Sequence, residues 1–597
     1  MPVVAVSVKR MNQLLHHEYE MDRLVAALEQ LGCDVEDTAT QALYRCPACE
    51  TPNDKLEQEP APKRCDFCGY ERDEPFEQFA TDRVIRLDLL ADRPDLFDSG
   101  GISRALKGYM GLEQGLSDFS VSKGDVQVDV DPIMNNTDTY RPFIVCAVVT
   151  MPLLDQDSLR EIMRLQENLH WGIGRDRKLA SIGVYDMAVI KPPIKYSVVD
   201  PDKFKFCPLG MPGVQMTPRQ ILEDHPKGKA YAHLMAPYKK YPILIDSKQL
   251  VLSMPPIINS DETKCKLGST RLFIDVTGIS RDAVVNSLNT LVSALAELGG
   301  TMETVTMNYP DGPQATPNLE PRNIDVNYSA ARKWLGLPFT RDEFMGYLRK
   351  MRLNVQLKSG DDYTVSYPAF RTDIRHEVDI FADLAIGFEY PNIEPKLVPT
   401  MTIGVPRPEE EISSLVRDAM IGLGFNEVMS LQLQSLERQF GKYGMEPSNE
   451  HVIVENPKTI EQKVVRSHMM TGLMETFHKN RRKAMPQWIF ELGNVVIIDP
   501  EKETGTSEYR HLAFGIIGPD AGYAEARMVL DSILAELNLT GEYTPATHPA
   551  FCDGRLAEVT GPDGLCARIG EIHPRVLNNF GLAYPVAYCE LRLKQVI

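Results

Sequence analysis

Four cysteines place the tightest constraint on this chain. Cys46, Cys49, Cys65 and Cys68 form C-x2-C-x15-C-x2-C within RCPACETPNDKLEQEPAPKRCDFCGYERDEP. The segment between the pairs is rich in proline and charge and has too few apolar residues to build a core. Residues 42–78 therefore fold only if something else supplies the free energy. Two thiolate pairs on tight knuckles make the tetrahedral four-sulfur shell that zinc prefers, and metal binding is then folding energy. With no ligand position left open, such a site is structural rather than catalytic. The competing reading is four unrelated thiols.

A second constraint lies in Tyr367–Pro395, YPAFRTDIRHEVDIFADLAIGFEYPNIEP. It reads as a strand end, a turn and a helix crowded with carboxylates in its first turns. Asp373 is the expected N-cap, where a short acceptor satisfies orphan backbone N–H groups. Asp379 and Asp383 stand four apart, on one helical face, with Glu377 nearby. Two readings fit: acidic residues complement the dipole of a helix N-terminus, and paired carboxylates hold a divalent cation such as Mg2+.

At 597 residues the chain is long enough for about four domains. Its hydrophobic fraction of 43% and charged fraction of 25% are those of ordinary globular protein. The opening MPVVAVSVKRMNQLL is too short an apolar run for a secretory leader, and no apolar stretch is long enough to span a bilayer. A cytoplasmic location is expected. The net charge of −19, from 64 basic and 83 acidic residues, argues against a general nucleic-acid coat. Local nucleic-acid contact remains open at Lys239–Lys240 and at the run His478–Lys483. That run reads equally well as cations at a helix C-terminus. The other seven cysteines read as reduced, mostly as small core fillers.

The motif R-x-D-I-x-x-E-x-D-I-x-x-D-x-A-x-x-x-x-Y, running from Arg371 to Tyr390, resembles the B5 module of phenylalanyl-tRNA synthetase β subunits. The resemblance implies magnesium at Asp373, Asp379 and Asp383; Ala382 stands where a further acidic residue is usual. The earlier run VIRLDLLADRPDLFDSGGISRALKGYMGLE is similar to the first module of the same family. There is also an internal echo: helix, strand, D-R-P-D and helix recur as helix, strand, F-R-T-D and helix. The cysteine insertion is not a general feature of the family.

Between the two modules, strand-like runs alternate with helices such as SLREIMRLQENLHWGIG and SRDAVVNSLNTLVSALAELGG, the latter closed by Gly299. This block, from about residue 139 to 306, is similar to the family's editing module. The resemblance rests on VLSMPPIINSDETKCKLGSTRLFIDVTG and GRDRKLASIGVYD. It implies a pocket at Leu244, Ser253, Asn259, Asp275 and Thr277. Asn259 and Ser253 would hold the ester carbonyl or terminal ribose; Asp275 and Thr277 would position water or accept a phenol proton. Their spacing alone equally fits two solvated residues alternating along a strand.

The last two hundred residues resemble a class II synthetase core. A working site of that kind needs arginines to neutralise the charge that develops on ATP phosphates. The corresponding strand here reads PQWIFELG, with no F-R-x-E, and no G-x-G-x-x-R follows. Arg466 reads as a packing or interface arginine.

The fold expected is multidomain, α/β and α+β: a winged-helix-like B5 module, a mixed α/β editing module and a C-terminal class II synthetase-like antiparallel sheet domain. The limits expected are 1–125 with the knuckle at 42–78, then 126–310, 317–396 and 397–597. The resemblance implies a phenylalanine–tRNA ligase β subunit of archaeal or eukaryotic cytosolic type, without the OB-type insertion and C-terminal anticodon module of bacterial forms. It implies an (αβ)2 heterotetramer in which the α subunit uses ATP to charge tRNA-Phe and this chain hydrolyses mischarged Tyr-tRNA-Phe. The alternative is a scaffold that binds tRNA and a partner, with a decayed editing pocket.

Overall fold

The strand Val3–Ser7 runs straight into the helix Val8–Leu15, and Ser7 makes the junction: its Oγ accepts from the Arg10 N–H at 3.2 Å. Helix Met21–Gln30 and strands Asp34–Arg45 and Glu77–Asp88 follow, then helix Ser99–Tyr109. Glu77–Asp88 lies between the other two strands, pairing antiparallel with both; Pro52–Leu56 adds an outer strand. The same plan recurs at Arg322–Asn327, Tyr328–Leu335, Arg341–Lys350, Asn354–Ser359, Asp362–Tyr367 and Glu377–Phe388, again with the last strand in the middle. Asn327 caps its helix as Ser7 does, accepting from Ala330 N at 2.9 Å. The echo in the sequence is thus a repeated strand–helix–helix–strand–strand–helix unit. The copies differ at one hairpin. The second turns at Gly360, with φ +56°, whereas the first carries the whole cysteine segment.

These residues belong to a computed structural model that describes residues 3–135, 141–447, 451–561 and 564–593. The chain divides into two units, Met1–Lys396 and Leu397–Ile597. In the first unit an eleven-stranded sheet joins the two repeats in sequence. Its strand Arg271–Gly278 pairs antiparallel with Phe143–Thr150 on one side and Ala180–Asp186 on the other. Leu272, Ile274 and Val276 face the helices Gln156–Trp171 and Arg281–Glu297, whose Leu165, Leu169, Leu288 and Leu295 share their core. Phe273 faces a second core with Cys146, Tyr185, Tyr196 and Leu244. Both faces are covered, so any polar side chain on this strand is buried and must find a partner.

The second unit is built on a seven-stranded sheet in the order Asn426–Glu427, Gln487–Ile498, Thr506–Ile517, Val586–Arg592, Cys566–Ile572, Phe551–Thr560 and Glu542–Pro545. All neighbours are antiparallel except the first pair. Alternation divides its faces: Phe490 and Phe514 pack with helices Pro408–Gly422 and Tyr523–Glu536, Ile489 and Ala513 with Met470–Lys479 and Pro574–Phe580. Among the described residues no helix is long and apolar enough to cross a membrane.

Candidate functional site

The four cysteines meet. Cys46, Cys49, Cys65 and Cys68 are all buried, and their Sγ atoms lie within 4.8 Å of one another. Cys46 and Cys68 are 3.8 Å apart and Cys49 and Cys65 3.7 Å. A tetrahedron with Zn–S bonds of about 2.3 Å has edges of about 3.8 Å, so the spacing fits zinc, while a disulfide needs about 2.05 Å. The two knuckles are built alike: Glu50 N donates to Cys46 O at 3.0 Å and Gly69 N to Cys65 O at 3.1 Å. Both turning residues have positive φ, +64° and +79°. Asn53 Nδ2 and Tyr70 N each approach a sulfur at 3.5 Å, an arrangement that suits thiolates. Among the described residues this is the one cluster of three or more such groups that could hold a metal.

Beside it opens a narrow cleft with a cavity volume of about 70 Å³. Ser253, Asn259 and Asp275 line it; Leu244 and Thr277 do not. Leu244, Ser253 and Asn259 stand opposite one another across three neighbouring strands, which puts the three in one row. Leu244 lies in the core beneath. Thr277 is fully buried: its hydroxyl bonds Ser181 at 3.1 Å and accepts from Arg141 Nε at 3.3 Å. Neither Asp275, 1% exposed, nor Thr277 is a solvated residue on an open strand, because both faces of that strand are covered.

Tyr185 escaped the sequence reading. Its phenol donates to Asp275 Oδ1, and Ser253 is its other polar neighbour. A side chain at Gly183 would occupy that space, since its Cβ would fall 1.9 Å from the phenol oxygen. Burial pushes the Asp275 carboxyl up to about 7, against the lowering pull of the Tyr185 bond and of Arg141. The group is poised to change charge near neutrality, where a general base works best.

Farther along the wall Arg177 donates to Glu167 Oε1 at 2.8 Å and to the carbonyls of Pro256 and Ile257. Burial opposes the Glu167 charge, yet Arg177 and Lys227 hold its carboxyl well below the usual range. His170 Nε2 accepts from Ile182 N at 2.8 Å, burial and Arg177 lower the pKa of the ring, and its Nδ1 faces Glu167 at 3.4 Å. The i, i+3 spacing of Glu167 and His170 was the available signal. Arg177 lies in the run GRDRKLASIGVYD, where no spacing distinguishes it, and is set by three successive residues of positive φ from Arg175.

The acidic helix departs from expectation. It begins at Glu377 with His376 as its N-cap, so Asp373 is not the cap. Arg371 grips Asp373 with two nitrogens and reaches Asp383 Oδ2 at 2.8 Å. Burial works against the Arg371 charge, but Asp383 and Asp373 hold the guanidinium well above its usual pKa. Asp379 turns back onto the N–H groups of Arg375 and His376, both at 2.7 Å. With no ion present, the carboxylates are met by an arginine and two amides and do not converge on one point. The first repeat has the matching grip, Arg93 on Asp95 at 2.8 and 2.9 Å.

In the second unit the strand Gln487–Ile498 carries no arginine. Arg466 is 3% exposed and packs against Glu491 at 2.6 Å and Asn494 O at 2.8 Å, a packing arginine. The run from His478 straddles the end of helix Met470–Lys479, with Arg481 bonded back to His478 O at 2.8 Å.

Two family models match: "tRNA synthetase B5 domain" over residues 324–390 and "Phenylalanyl tRNA synthetase beta chain CLM domain" over 393–593. The chain is similar to the phenylalanine–tRNA ligase beta subunit of Methanococcoides burtonii, 37% identical over 514 residues, covering 86% of this chain and 93% of that one. The beta subunit from Archaeoglobus fulgidus is also 37% identical over 514 residues, with 86% and 91% covered. Among solved structures, an N-terminal fragment of the phenylalanyl-tRNA synthetase beta subunit from Pyrococcus horikoshii matches with TM-score 0.55 at 33% identity. That match covers 65% of this chain and 99% of the fragment.

Proposed function

This chain belongs to the phenylalanine–tRNA ligase β-subunit family, and from that premise we propose how its work is divided between its two units. It is the β subunit of an aminoacyl-tRNA synthetase that charges tRNA-Phe with phenylalanine, supports the charging done by an α partner, and edits. Assembly as (αβ)2 in the cytoplasm is the form we assign to it. The second unit is a catalytic-like platform for the α partner, since its central strand lacks a phosphate-binding arginine.

Editing belongs to the cleft of the first unit. An apolar pocket rejects an added hydroxyl only about a hundredfold, so tyrosine charged onto tRNA-Phe has to be removed by a second site. An aminoacyl ester is already activated, and hydrolysis asks only for a placed water and a place for the developing charge. Asp275, once ionised, accepts a proton from that water or from the phenol network it shares with Tyr185. Asn259 and Ser253 hold the ester carbonyl or terminal ribose. Leu244 and Thr277 act from beneath, Leu244 by packing and Thr277 through Arg141. The observation that supports this most is the gathering of Ser253, Asn259 and Asp275 on one cleft with Asp275 titrating near 7. A scaffold with a decayed pocket has no such need, and that alternative is not favoured.

The four thiolates suit a structural zinc. The family's reaction uses Mg2+, but no step is carried through Asp373, Asp379 and Asp383, which Arg371 and backbone amides already occupy. The deciding measurement is deacylation of Tyr-tRNA-Phe by the αβ complex: rapid loss of tyrosine supports the reading, and no rate above spontaneous ester loss overturns it.

A further inference from the structure

The cysteine knuckle forms part of the cleft itself: Cys49, Thr51 and Phe67 all line it. Three sets of contacts hold it there. Lys264, on the cleft wall, donates its Nζ to Ala48 O at 3.0 Å. Gly210, with φ +87°, lets its loop come so close that a Cβ there would sit 3.2 Å from Cys68 Sγ. Arg164 of the helix Gln156–Trp171 bonds Asp54 at 2.6 Å and lies 5.1 Å from the centre of the Phe67 ring. Phe67 stands between Cys65 and Cys68, so the metal fold sets the ring's position.

Depth orders the cleft. Asp275 and Ser253 are 1% and 3% exposed, whereas Asn259 and Phe67 are half-buried. A tRNA that delivers an aminoacyl group to the deep polar end must leave past the more exposed lining, where Phe67 is the one aromatic ring that is not fully buried. We propose that Phe67 is the platform on which the terminal adenine stacks while the ester is hydrolysed. This is a positioning and specificity role that the insertion adds to the editing site, and it rests on the editing reading above. Aromatic rings hold bases in this way without needing sequence-specific hydrogen bonds.

The test uses the αβ complex with Phe67→Trp and Phe67→Leu, each checked for unchanged zinc content, on two substrates: Tyr-tRNA-Phe and tyrosine methyl ester, which lacks the base. With Tyr-tRNA-Phe, Phe67→Leu should raise KM roughly ten- to a hundredfold with kcat held, while Phe67→Trp stays near the parent. The methyl ester should be cleaved equally by all three. If Phe67→Leu and Phe67→Trp behave alike, or if kcat falls while KM holds, the platform is refuted. An effect of equal size on the methyl ester would mean that the ring meets the amino acid, and also refutes it. A parent complex that fails to deacylate Tyr-tRNA-Phe removes the editing reading and this one together. An active parent with an unchanged Phe67→Leu removes this one alone.

Discussion

At the scale of the residue, the proposed editing chemistry rests mostly on Asp275, and burial is the cause. With its carboxyl raised to about 7, the native state keeps a proton that the unfolded chain releases near pH 4. Between those values the native state binds more protons, so its stability falls as pH rises, and the full cost is present above pH 7. The active carboxylate appears over the same window. Deacylation of Tyr-tRNA-Phe should therefore climb through about pH 7, and a pH–rate profile of Asp275→Asn should lose that step. Asp275→Ala or Asn259→Ala should slow deacylation by roughly two to three orders of magnitude, as loss of a positioned polar group does. Mischarged Tyr-tRNA-Phe would then accumulate while phenylalanine charging by the α partner continues. Equal loss of charging and deacylation would make the residue structural. Arg371 gives a second test at this scale. Arg371→Met strands Asp373 and the buried Asp383 beside each other, which should cost about 3–5 kcal/mol and lower the thermal midpoint of the first unit. Adding Mg2+ to the parent chain should leave that midpoint in place; a marked rise would return the metal to this helix.

At the scale of the element, the decisive feature is a hairpin that grew. Both repeats join their last two strands directly, one through Gly360 and the other through the knuckle. The inserted strand Pro52–Leu56 extends the sheet from Asp34–Arg45, but the loops beyond it have little apolar content besides Phe67, Tyr70 and Phe76. Four thiolates supply what that small core cannot. Purified chain should hold near-stoichiometric zinc by elemental analysis, and Cys65→Ser with Cys68→Ser should lose it. Native thiols at all four positions that alkylate freely, with no metal found, would end the assignment.

At the scale of the whole molecule, the units divide the labour. Without a phosphate-binding arginine on Gln487–Ile498, the isolated chain should give no ATP–pyrophosphate exchange, and co-expression with an α partner should restore phenylalanine-specific charging. Exchange by the chain alone would overturn the platform reading. The second unit leaves large apolar side chains bare, among them Met429 at 96% and Leu431 at 70% exposed. Exposed apolar groups mark surfaces that a partner covers. Met429→Asp with Leu431→Asp should cut recovery of the α subunit in co-purification without shifting the melting of the chain alone.

How much of this was legible depended on how local the physics was. The knuckle could be read because its ligands are set by spacing within one short segment, and the repeat because both copies keep the same run of strand, helix and R-x-D. The helix Arg281–Glu297 followed from apolar periodicity and its closing Gly299, although the fold buries every residue from Ser287 to Leu295, all round the helix. The acidic helix misled only at its start: spacing shows where carboxylates stand, but not that His376 takes the cap while Arg371 folds back onto Asp373 and Asp383. Tyr185, Arg177 and Phe67 lie within runs the sequence marked, but no spacing or periodicity distinguished them from their neighbours. Their importance comes from strand register and from a knuckle docked onto a distant loop, contacts between residues tens to hundreds of positions apart. The residue pattern by itself determined the family, the elements and which four thiols come together. Only the packed fold decided which polar groups share a cleft, which are buried, and hence which change charge near neutral pH.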